Sequence, residues 1–419
     1  MERPKAGLIG HPLGHSLSPQ IHERLDGGYD YELYPLEPSE LEKFFRTTAR
    51  GLIGFNVTIP YKKDVIPFLN ALSPVAQRIG AVNTVCVRPD GSLVGHNTDY
   101  AGLDSLLADA GIGLTGKKVL LLGTGGAAAM AKVLVADRHA RALVQVSRHP
   151  RDGQESYEGL TRRHSDAQIV INATPVGMFP HAGQTPLPLE GFDHLEAVVD
   201  LVYNPARTAL LLDAKRHGVK AINGLHMLVA QASEAARLFT GNAIAPSRTT
   251  EIRDAIAFDR LNIVLTGMPG AGKSAVARKL ARHFPGRPVV DTDAEIEKRT
   301  RRSIPELFRD SGEKAFRDIE SAVIAEVGTK GGQIIATGGG AILRPENVDA
   351  LKQNGRIFFL DRSVDLLARG GRPLAPDESA LRRLYEERLP LYRATCDVKV
   401  DANDDQTDQA ILRLLHSNH

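Results

Sequence analysis

Short apolar runs that end in polar, glycine-containing loops recur along almost the whole chain. In the first 250 residues they begin near positions 6, 54, 80, 117, 143, 169 and 198, and later near positions 262, 288 and 333. Apolar runs bounded by turn residues are typical of buried strands, and helix-like segments lie between several of them. The pattern predicts an α/β fold, with a parallel sheet in the middle of the chain and another in its last part.

One of these loops has the complete sequence of a nucleotide-phosphate loop. Residues 267–274 follow an apolar run, open a helix-like segment and read G-x-x-x-x-G-K-S. Gly270 and Gly272 let backbone N–H groups converge on phosphates. Lys273 can reach the outer phosphates, and the Ser274 hydroxyl can ligate Mg²⁺. The strand before the loop and the helix after it are the context that the motif requires, so ATP and Mg²⁺ are expected here.

A second glycine-rich loop, in the first half of the chain, suits a dinucleotide. An apolar run leads into G-x-G-x-x-A and then into an alanine-rich helix. Gly123 and Gly125 permit a tight turn, and Gly126 and Ala127 open the helix whose N-terminus the pyrophosphate would approach. The next run ends at Arg148, where an NAD-binding protein usually carries an acidic residue. Arg148 could clamp a 2′-phosphate, so NADPH is favoured over NADH.

Four polar loops, each attached to an apolar run, lie before residue 100. Any one of them could be ordinary turn or helix-cap chemistry, because Ser, Asn and Gly dominate such positions. Together they predict a site for a polyhydroxylated molecule. Lys62 and Asp99 each end one of these loops. Isolated surface ions are the alternative interpretation of this pair.

Polar residues also follow the apolar runs of the last part. Asp291 and Asp293 come after one run, on the same side of an extended chain, where Asp291 could help to hold Mg²⁺ and Asp293 could meet an acceptor hydroxyl. Three glycines, 338–340, end another run and suit a backbone that approaches a ligand closely. A flexible turn is the alternative for these glycines.

Length, charge and cysteine content exclude several classes of protein. The 419 residues suggest about three structural units. Lys and Arg number 52 against 50 Asp and Glu, so neither nucleic acid nor a membrane surface is an expected partner. Cys86 and Cys396 lie far apart, which indicates neither a disulfide framework nor a zinc site. With no apolar signal region and no long apolar stretch, a cytoplasmic protein is expected.

Most of residues 6–250 resembles the shikimate dehydrogenase family. The similarity lies in H-S-x-S-P, G-x-N-V-T-x-P-x-K, A-V-N-T, G-x-N-T-D, G-x-G-G-A and the segments 172–178 and 224–231. The resemblance implies that Lys62 and Asp99 are the catalytic pair and adds Gly224 to the cofactor site. It implies that 3-dehydroshikimate or shikimate is held by Ser16, Ser18, Thr58, Asn83, Asp99, Tyr203 and Gln231. One departure is His149, where the family usually has Thr.

Residues 261–401 resemble the shikimate kinase family. The similarity lies in the phosphate loop, D-T-D, F-R-x-x-E, G-G-G, R-P-L and R-x-P-L-Y. The resemblance implies catalytic roles for Lys273 and Asp293 and a shikimate site formed by Asp293, Arg317, Gly339 and Arg388. The two guanidinium groups would bind the carboxylate.

Further kinase expectations concern a lid and the adenine side of the site. By resemblance Arg372 would come from a mobile lid and neutralise charge on the transferring phosphoryl group. The lid before Arg388 is short, which leaves the role of Arg369 open. The late arginine on the adenine side of the family is missing from residues 401–405.

The predicted protein is thus a fusion of two enzymes. We expect a substrate domain at 1–100, completed by a helical segment at 224–250, a Rossmann-type NADP domain at 101–223 and a kinase domain with a parallel sheet at 255–419. The expected reactions are NADPH-dependent reduction of 3-dehydroshikimate and Mg²⁺-ATP-dependent phosphorylation of shikimate. Two alternatives remain. One is an NAD-preferring quinate/shikimate dehydrogenase joined to the kinase, which the Ser16–Ser18 pair and Arg148 disfavour. The other is a fusion in which one half is a non-catalytic sensing module.

Overall fold

The computed structural model describes residues 3–14, 16–367 and 377–416. The chain forms two compact units. The first unit consists of Met1–Met178, Gln184–Tyr203 and Leu210–Ala255. The second unit consists of Phe179–Gly183, Asn204–Ala209 and Ile256–His419, so two short segments from the first half of the chain belong to it.

The first part of the first unit is a mixed sheet with helices. Its elements are β1 (Lys5–Gly10), α1 (Ser18–Leu25), β2 (Asp30–Pro35), α2 (Leu41–Thr47), β3 (Gly54–Val57), β4 (Ala71–Leu72), α3 (Pro74–Ile79), β5 (Thr84–Val87), β6 (Leu93–His96) and α4 (Thr98–Asp109). The strand order is β2-β1-β3-β5-β6-β4. Strand β1 runs parallel to β2 and β3, and β5 runs antiparallel to β3 and β6. Phe44, Phe45 and Phe55 pack together in the core beside this sheet.

The second part of the first unit is a parallel sheet of the dinucleotide-binding type. Its elements are β7 (Lys118–Leu122), α5 (Gly126–Asp137), β8 (Ala142–Val146), β9 (Gln154–Glu155), α6 (Leu160–His164), β10 (Ile169–Asn172), β11 (Ala197–Asp200), α7 (Ala209–Arg216) and β12 (Lys220–Asn223). The helix α8 (Leu225–Thr240) follows and packs against α1 and α4 of the first part, and α9 (Pro246–Arg260) comes after it. The strand order β12-β11-β10-β7-β8-β9 reverses between β7 and β10. Ligands of such sheets bind outside the carboxyl ends of the strands at this reversal, which is where Gly123 lies.

The second unit is built on a parallel sheet of five strands. Its elements are β13 (Asn262–Thr266), α10 (Lys273–His283), β14 (Val289–Asp291), α11 (Thr292–Thr300), α12 (Ile304–Thr329), β15 (Ile334–Ala336), α13 (Pro345–Asn354), β16 (Gly355–Asp361), α14 (Glu378–Thr395), β17 (Val398–Asp401) and α15 (Thr407–His416). The strand order is β14-β15-β13-β16-β17. Three strands of the sheet carry buried apolar stretches, at 263–265, 334–336 and 357–360. These observations confirm the predicted α/β class.

Several local expectations differ from the structure. The apolar run expected to begin near Gly80 does not start as a strand. Gly80 is the C-cap of α3, in the left-handed conformation with φ 69°, and the strand starts only at Thr84. Asp99 and Asp293 lie in the first turns of α4 and α11, so the expectation of two carboxylates on one extended chain is wrong for Asp293. The helical segment expected at 224–250 is two helices, α8 and α9, and α9 continues to Arg260. Hydrophobic runs locate the strands, but capping residues decide where each following helix begins.

Candidate active sites

Lys62 and Asp99 form an ion pair in the first unit. The distance from Lys62 Nζ to Asp99 Oδ2 is 2.6 Å, and the side chains are 25% and 15% exposed. Lys62 stands in the turn after β3, where its carbonyl accepts a hydrogen bond from the backbone of Val82 at 2.8 Å. Asp99 lies in the first turn of α4, where the helix dipole favours a negative charge. An ammonium that is partly exposed and held by a carboxylate can donate a proton to a substrate oxygen.

A hydrogen-bonded network fixes the start of α4 next to this pair. The backbone N–H of Thr98 donates to Asn83 Oδ1 at 2.7 Å, and Asn83 Nδ2 donates to Thr98 Oγ1 at 3.1 Å. The Thr98 hydroxyl also donates to Gln231 Oε1 at 3.3 Å. Because Thr98 directly precedes Asp99, the network brings Asn83 and Gln231 close to the ion pair.

Ser16 and Ser18 lie together at the start of α1. Ser16 Oγ accepts a hydrogen bond from the backbone N–H of Ser18 at 3.2 Å. Thr58 is held at the end of β1 by a hydrogen bond from its N–H to the Ile9 carbonyl at 2.9 Å, and its methyl group fills the space that a side chain on Gly10 would need. The Ser16 hydroxyl therefore satisfies the backbone N–H of the first residue of α1, and Leu17 occupies the N-cap position.

A buried polar network, which the motifs did not single out as site residues, connects Ser18 to Asn83. Ser18 lies beside the Tyr31 side chain, and the Tyr31 hydroxyl donates to Asn56 Oδ1 at 2.7 Å. Asn56 Nδ2 donates to Thr84 Oγ1 at 3.0 Å, and Thr84 Oγ1 donates to Asn83 Oδ1 at 3.1 Å. The sequence did hold a signal for two of these residues, because Asn56 and Thr84 are polar positions inside otherwise apolar runs.

His22 packs behind this network. Its ring stacks on Tyr31 with a centroid distance of 3.9 Å, and its Nδ1 atom lies 2.6 Å from the Tyr29 hydroxyl. Burial lowers the pKa of His22 to about 3, so the ring is neutral at physiological pH. The histidine therefore supports Tyr29 and Tyr31 by packing and hydrogen bonding, without a charge.

The glycine loop after β7 has room for a pyrophosphate. Gly123 has φ 110°, and a Cβ there would lie 3.0 Å from the Thr174 methyl group, which follows β10. A Cβ on Gly125 or Gly126 would meet no described atom within 4 Å, so the backbone at the start of α5 is open. These residues fit a dinucleotide, whose pyrophosphate binds at such a helix N-terminus.

The other residues expected at the dinucleotide and substrate sites lie around the same sheet. Arg148 is exposed just after β8, and the backbone N–H of His149 donates to Ser147 Oγ at 3.2 Å in the same turn. Tyr203 follows β11 and is half-buried. Gly224 precedes α8 and packs so closely on the backbone of Leu201 that any Cβ would collide with it. Close packing is thus one reason for glycine at this position.

The expected kinase residues of the described chain line one cavity in the second unit. The cavity has a volume of about 470 Å³. The predicted residues on its wall are Gly270, Gly272, Lys273, Ser274, Asp291, Asp293, Arg317, Gly339 and Arg388. Arg372 and Arg369 lie outside the described residues.

The phosphate loop has the backbone geometry that its glycines predict. Gly267, Gly270 and Gly272 have φ values of 146°, 82° and 89°, which residues with a side chain rarely adopt. Lys273 Nζ donates to the carbonyls of Gly267 and Met268 at 2.8 and 3.0 Å, and the side chain is buried. The lysine thus lies across the loop, next to the position of bound phosphates in such loops.

Ser274 and Asp291 provide two oxygen atoms at the edge of the cavity. The Ser274 hydroxyl donates to Asp291 Oδ2 at 2.5 Å. Mg²⁺ prefers oxygen ligands and binds one or two protein groups together with waters and substrate phosphates. The chemistry of this hydroxyl–carboxylate pair therefore fits Mg²⁺.

Asp293 is a buried carboxylate with an unusual titration. Burial raises its pKa to about 6, Lys273 opposes the shift, and Asp291 and Glu320 add to it. The Oδ1 atom has no hydrogen-bond partner among the described residues. A carboxylate with this pKa is mainly ionised at pH 7 and can accept a proton from a hydroxyl group.

Arg317 and Arg388 place two buried guanidinium groups in the cavity wall. Arg317 Nη1 donates to Glu320 Oε2 at 2.6 Å, and burial raises the pKa of Glu320. Glu320 was part of a motif but was not among the predicted site residues. The apolar wall was also missed, including Phe308 and Phe316, whose ring centroids are 4.5 Å apart.

The three glycines at 338–340 are required by close packing. A Cβ on Gly338 would approach Asp293 Oδ1 at 2.5 Å, and a Cβ on Gly339 would approach the Pro269 ring at 2.6 Å. A Cβ on Gly340 would overlap the Arg317 guanidinium. Each glycine therefore leaves space for a residue of the cavity.

Comparisons with known proteins match both parts of the chain. The family described as shikimate dehydrogenase substrate binding domain matches residues 8–85, and the family described as shikimate kinase matches residues 269–418. Shikimate dehydrogenase (NADP(+)) of Moorella thermoacetica is 38% identical over 257 residues, which are 56% of this chain and 87% of that protein. The corresponding enzyme of Shouchella clausii is 41% identical over 256 residues, which are 56% of this chain and 92% of that protein.

Solved structures agree with these matches. A crystal structure of a chorismate mutase/shikimate 5-dehydrogenase fusion protein from Clostridium acetobutylicum has a TM-score of 0.57 at 32% identity and covers 61% of this chain and 98% of its own. Shikimate 5-dehydrogenase from Thermus thermophilus, in complex with NADP(H) and shikimate, has a TM-score of 0.53 at 34% identity and covers 60% of this chain and 99% of its own. The chain therefore belongs to the shikimate dehydrogenase family and carries a shikimate kinase domain after the dehydrogenase region, so that it is an enzyme with an oxidoreductase part and a kinase part.

Proposed function

We propose that this protein catalyses two consecutive reactions of the shikimate pathway: NADPH-dependent reduction of 3-dehydroshikimate to shikimate, and Mg²⁺-ATP-dependent phosphorylation of shikimate at its 3-hydroxyl. The observation that carries the proposal is that one chain holds both a Lys62–Asp99 pair at 2.6 Å and a complete phosphate-loop cavity. The product of the first reaction is the substrate of the second.

In the reductase site, Lys62 acts on the oxygen of the ketone. NADPH, when bound, supplies the hydride that adds to the carbonyl carbon. The Lys62 ammonium hydrogen-bonds the carbonyl oxygen and transfers a proton to it as negative charge develops there. Asp99, 2.6 Å away, orients the ammonium. The proposed substrate contacts are Ser16, Ser18, Thr58, Asn83, Asp99, Tyr203 and Gln231.

In the kinase site, Asp293 accepts the proton of the 3-hydroxyl. The hydroxyl oxygen forms a bond to the γ-phosphorus, the bond between that phosphorus and the β-phosphate bridging oxygen breaks, and ADP leaves. Arg317 and Arg388 orient the substrate through its carboxylate. Lys273 stabilises the charge on the phosphates, and Ser274 and Asp291 would hold Mg²⁺.

We also propose three domains, at 1–100 with 224–250, at 101–223 and at 255–419. The two separate sheets of the first unit support the division of the dehydrogenase part. NADPH would bind at Gly123, Gly125, Gly126, Ala127, Arg148 and Gly224. The open backbone of the glycine loop supports this placement.

A coupled assay tests the function. The protein is supplied with 3-dehydroshikimate, NADPH and Mg²⁺-ATP, and the expected products are NADP⁺, ADP and shikimate 3-phosphate in equal amounts. Without NADPH, ADP should form only when shikimate itself is added. NADPH oxidation without ADP formation would contradict the kinase assignment, and ADP formation from added shikimate without NADPH oxidation would contradict the reductase assignment.

A further inference from the structure

We infer that Arg362 binds the phosphate chain of the adenine nucleotide in the second unit. The inference rests on the proposed kinase function and adds a residue that belongs to none of the motifs in the kinase resemblance. It places a guanidinium beside the phosphate loop, next to the strand β16.

Sheet pairing brings Arg362 to the phosphate loop. Arg362 is the first residue after β16, and β16 pairs in parallel with β13, the strand that leads into the loop. The carboxyl ends of the two strands are therefore adjacent. Arg362 Nη1 lies 3.6 Å from the position that a Cβ would occupy on Gly272, so the guanidinium lies against the loop backbone.

The described residues leave this guanidinium with an unused donor. The Nε atom of Arg362 is buried and has no hydrogen-bond partner in the described part of the chain. The nearest acidic residues in sequence bind other cations: Asp361 lies 2.9 Å from Lys399, and Asp365 lies 2.5 Å from Arg382. Guanidinium groups carry five N–H donors and bind phosphate oxygens in pairs. A phosphate in the neighbouring loop is a suitable partner.

The backbone holds Arg362 in place on both sides. Before it, β16 is fixed by β13 and β17. After it, the backbone N–H of Ser363 donates to Asn403 Oδ1 at 2.8 Å, which attaches this segment to the loop after β17. That loop, residues 401–405, contains no arginine of its own. Arg362 supplies a guanidinium next to the same loop.

The test compares nucleotide binding by Arg362 variants of the full-length protein. The affinity for ADP is measured by calorimetry, and the KM values for ATP and shikimate are measured separately. Arg362→Gln should weaken ADP binding by about tenfold or more, because it removes charge-assisted hydrogen bonds. Arg362→Lys, which keeps the charge, should recover part of this loss. In both variants the KM for ATP should rise and the KM for shikimate should stay within about twofold of wild type.

Arg356→Gln is the matched control, because Arg356 lies at the opposite end of β16 and donates to the Leu414 carbonyl at 3.1 Å. It should leave ADP affinity unchanged. Failure of wild type to bind ADP would overturn the kinase proposal itself. Normal ADP binding by both Arg362 variants would overturn the role of Arg362 alone. A loss that Arg362→Lys does not recover at all would contradict a phosphate contact.

Discussion

Lys62 has a neighbour of the same type that allows a direct test of its role. Lys62 is paired with Asp99, whereas Lys63 is exposed. Lys62→Ala should lower the rate of 3-dehydroshikimate reduction by at least about 100-fold, which is the scale of a lost general acid. Lys63→Ala should leave the rate nearly unchanged. Phosphorylation of added shikimate should be normal in both variants, and near-normal reduction by Lys62→Ala would remove this residue from the mechanism.

Arg148 tests the choice of cofactor. Wild-type protein should use NADPH in preference to NADH, and Arg148→Ala should reduce this preference because the contact with the 2′-phosphate is lost. Arg151→Ala, which removes an exposed arginine three residues further on, is the control. The ratio of kcat/KM for the two cofactors is the quantity to measure. Equal use of both cofactors by wild type would favour the NAD-preferring alternative.

The buried charge of Asp293 should lower the stability of the folded protein, although the residue is proposed to be needed for phosphorylation. Its pKa in the folded protein is about 6, above the usual 3.8, so the folded state binds a proton more tightly than the unfolded chain. Stability therefore falls as the pH rises from about 4 to about 6, and at neutral pH the buried charge costs about 2 to 3 kcal/mol. Asp293→Asn removes this charge.

Asp293→Asn should accordingly raise the free energy of unfolding of the second unit at pH 7 and have much less effect at pH 4. Thermal unfolding at the two pH values measures the difference, and addition of ADP identifies the transition of the second unit by its shift. Shikimate phosphorylation should fall by at least about 100-fold. Lower stability of the variant at pH 7 would contradict the assigned burial of the charge.

At the scale of the elements, sequence patterns located the strands better than they located the side chains. The phosphate loop was predictable in detail because glycine conformation, a preceding strand and a following helix all depend on local sequence. The Asn56–Thr84 contact could not be predicted in this way, because it joins neighbouring strands whose pairing depends on the whole sheet. We expected Asp293 on an extended segment, because nothing in the preceding apolar run indicated that Asp291 would cap α11.

The glycines 338–340 show a similar limit. Their presence at the end of β15 predicted close approach, but the groups that approach them come from distant elements, such as Arg317 in α12 and Pro269 in the phosphate loop. A periodic pattern identifies one face of a helix and does not say which loop will pack on it. Long-range packing therefore gave these glycines a role that their sequence alone did not specify.

Gly340 supplies a prediction at this scale. Gly340→Ala should force the Arg317 guanidinium away from its position beside Glu320, because the added methyl group would occupy the same space. The KM for shikimate should rise by at least about tenfold, since small displacements of positioning groups have large effects. The KM for ATP should change much less. Gly113→Ala is the control for a glycine replacement, because Gly113 has open space around it. A normal KM for shikimate in Gly340→Ala would contradict the role of Arg317.

At the scale of the whole molecule, the second unit includes a segment from far back in the chain. Ala206 N donates to Asn354 Oδ1 at 2.9 Å, and Arg207 N donates to the Gln353 carbonyl at 2.8 Å. The Arg207 guanidinium donates to the Gly355 carbonyl and lies 3.9 Å from Asp397. Burial lowers the pKa of Arg207, and Asp397 opposes the shift. These contacts attach residues 204–209 to the N-terminal end of β16.

We predict that a fragment of residues 255–419 is soluble and phosphorylates shikimate, but unfolds at a lower temperature than the second unit of the full chain. The motifs of the kinase resemblance all lie within the fragment, whereas the contacts of Ala206 and Arg207 are lost. A loss of about 1 to 2 kcal/mol would lower Tm by several degrees.

Differential scanning calorimetry of the fragment and the full chain measures this difference. Arg207→Ala in the full chain should reproduce part of the decrease, and Arg282→Ala, at an exposed arginine, should not. An inactive or unfolded fragment would contradict the proposed boundary near residue 255.

The same segment has a consequence for how the protein is synthesised. The hydrogen bond between Ala206 and Asn354 spans 148 positions of the chain. A ribosome that adds about 5 to 20 residues per second needs about 7 to 30 seconds to make this interval, so residues 204–209 emerge long before their partners exist. A contact between residues so far apart in sequence costs conformational entropy to form, and contacts of this kind slow folding. Completion of the second unit should therefore be a late step of folding, and the rate of that step should depend on Arg207.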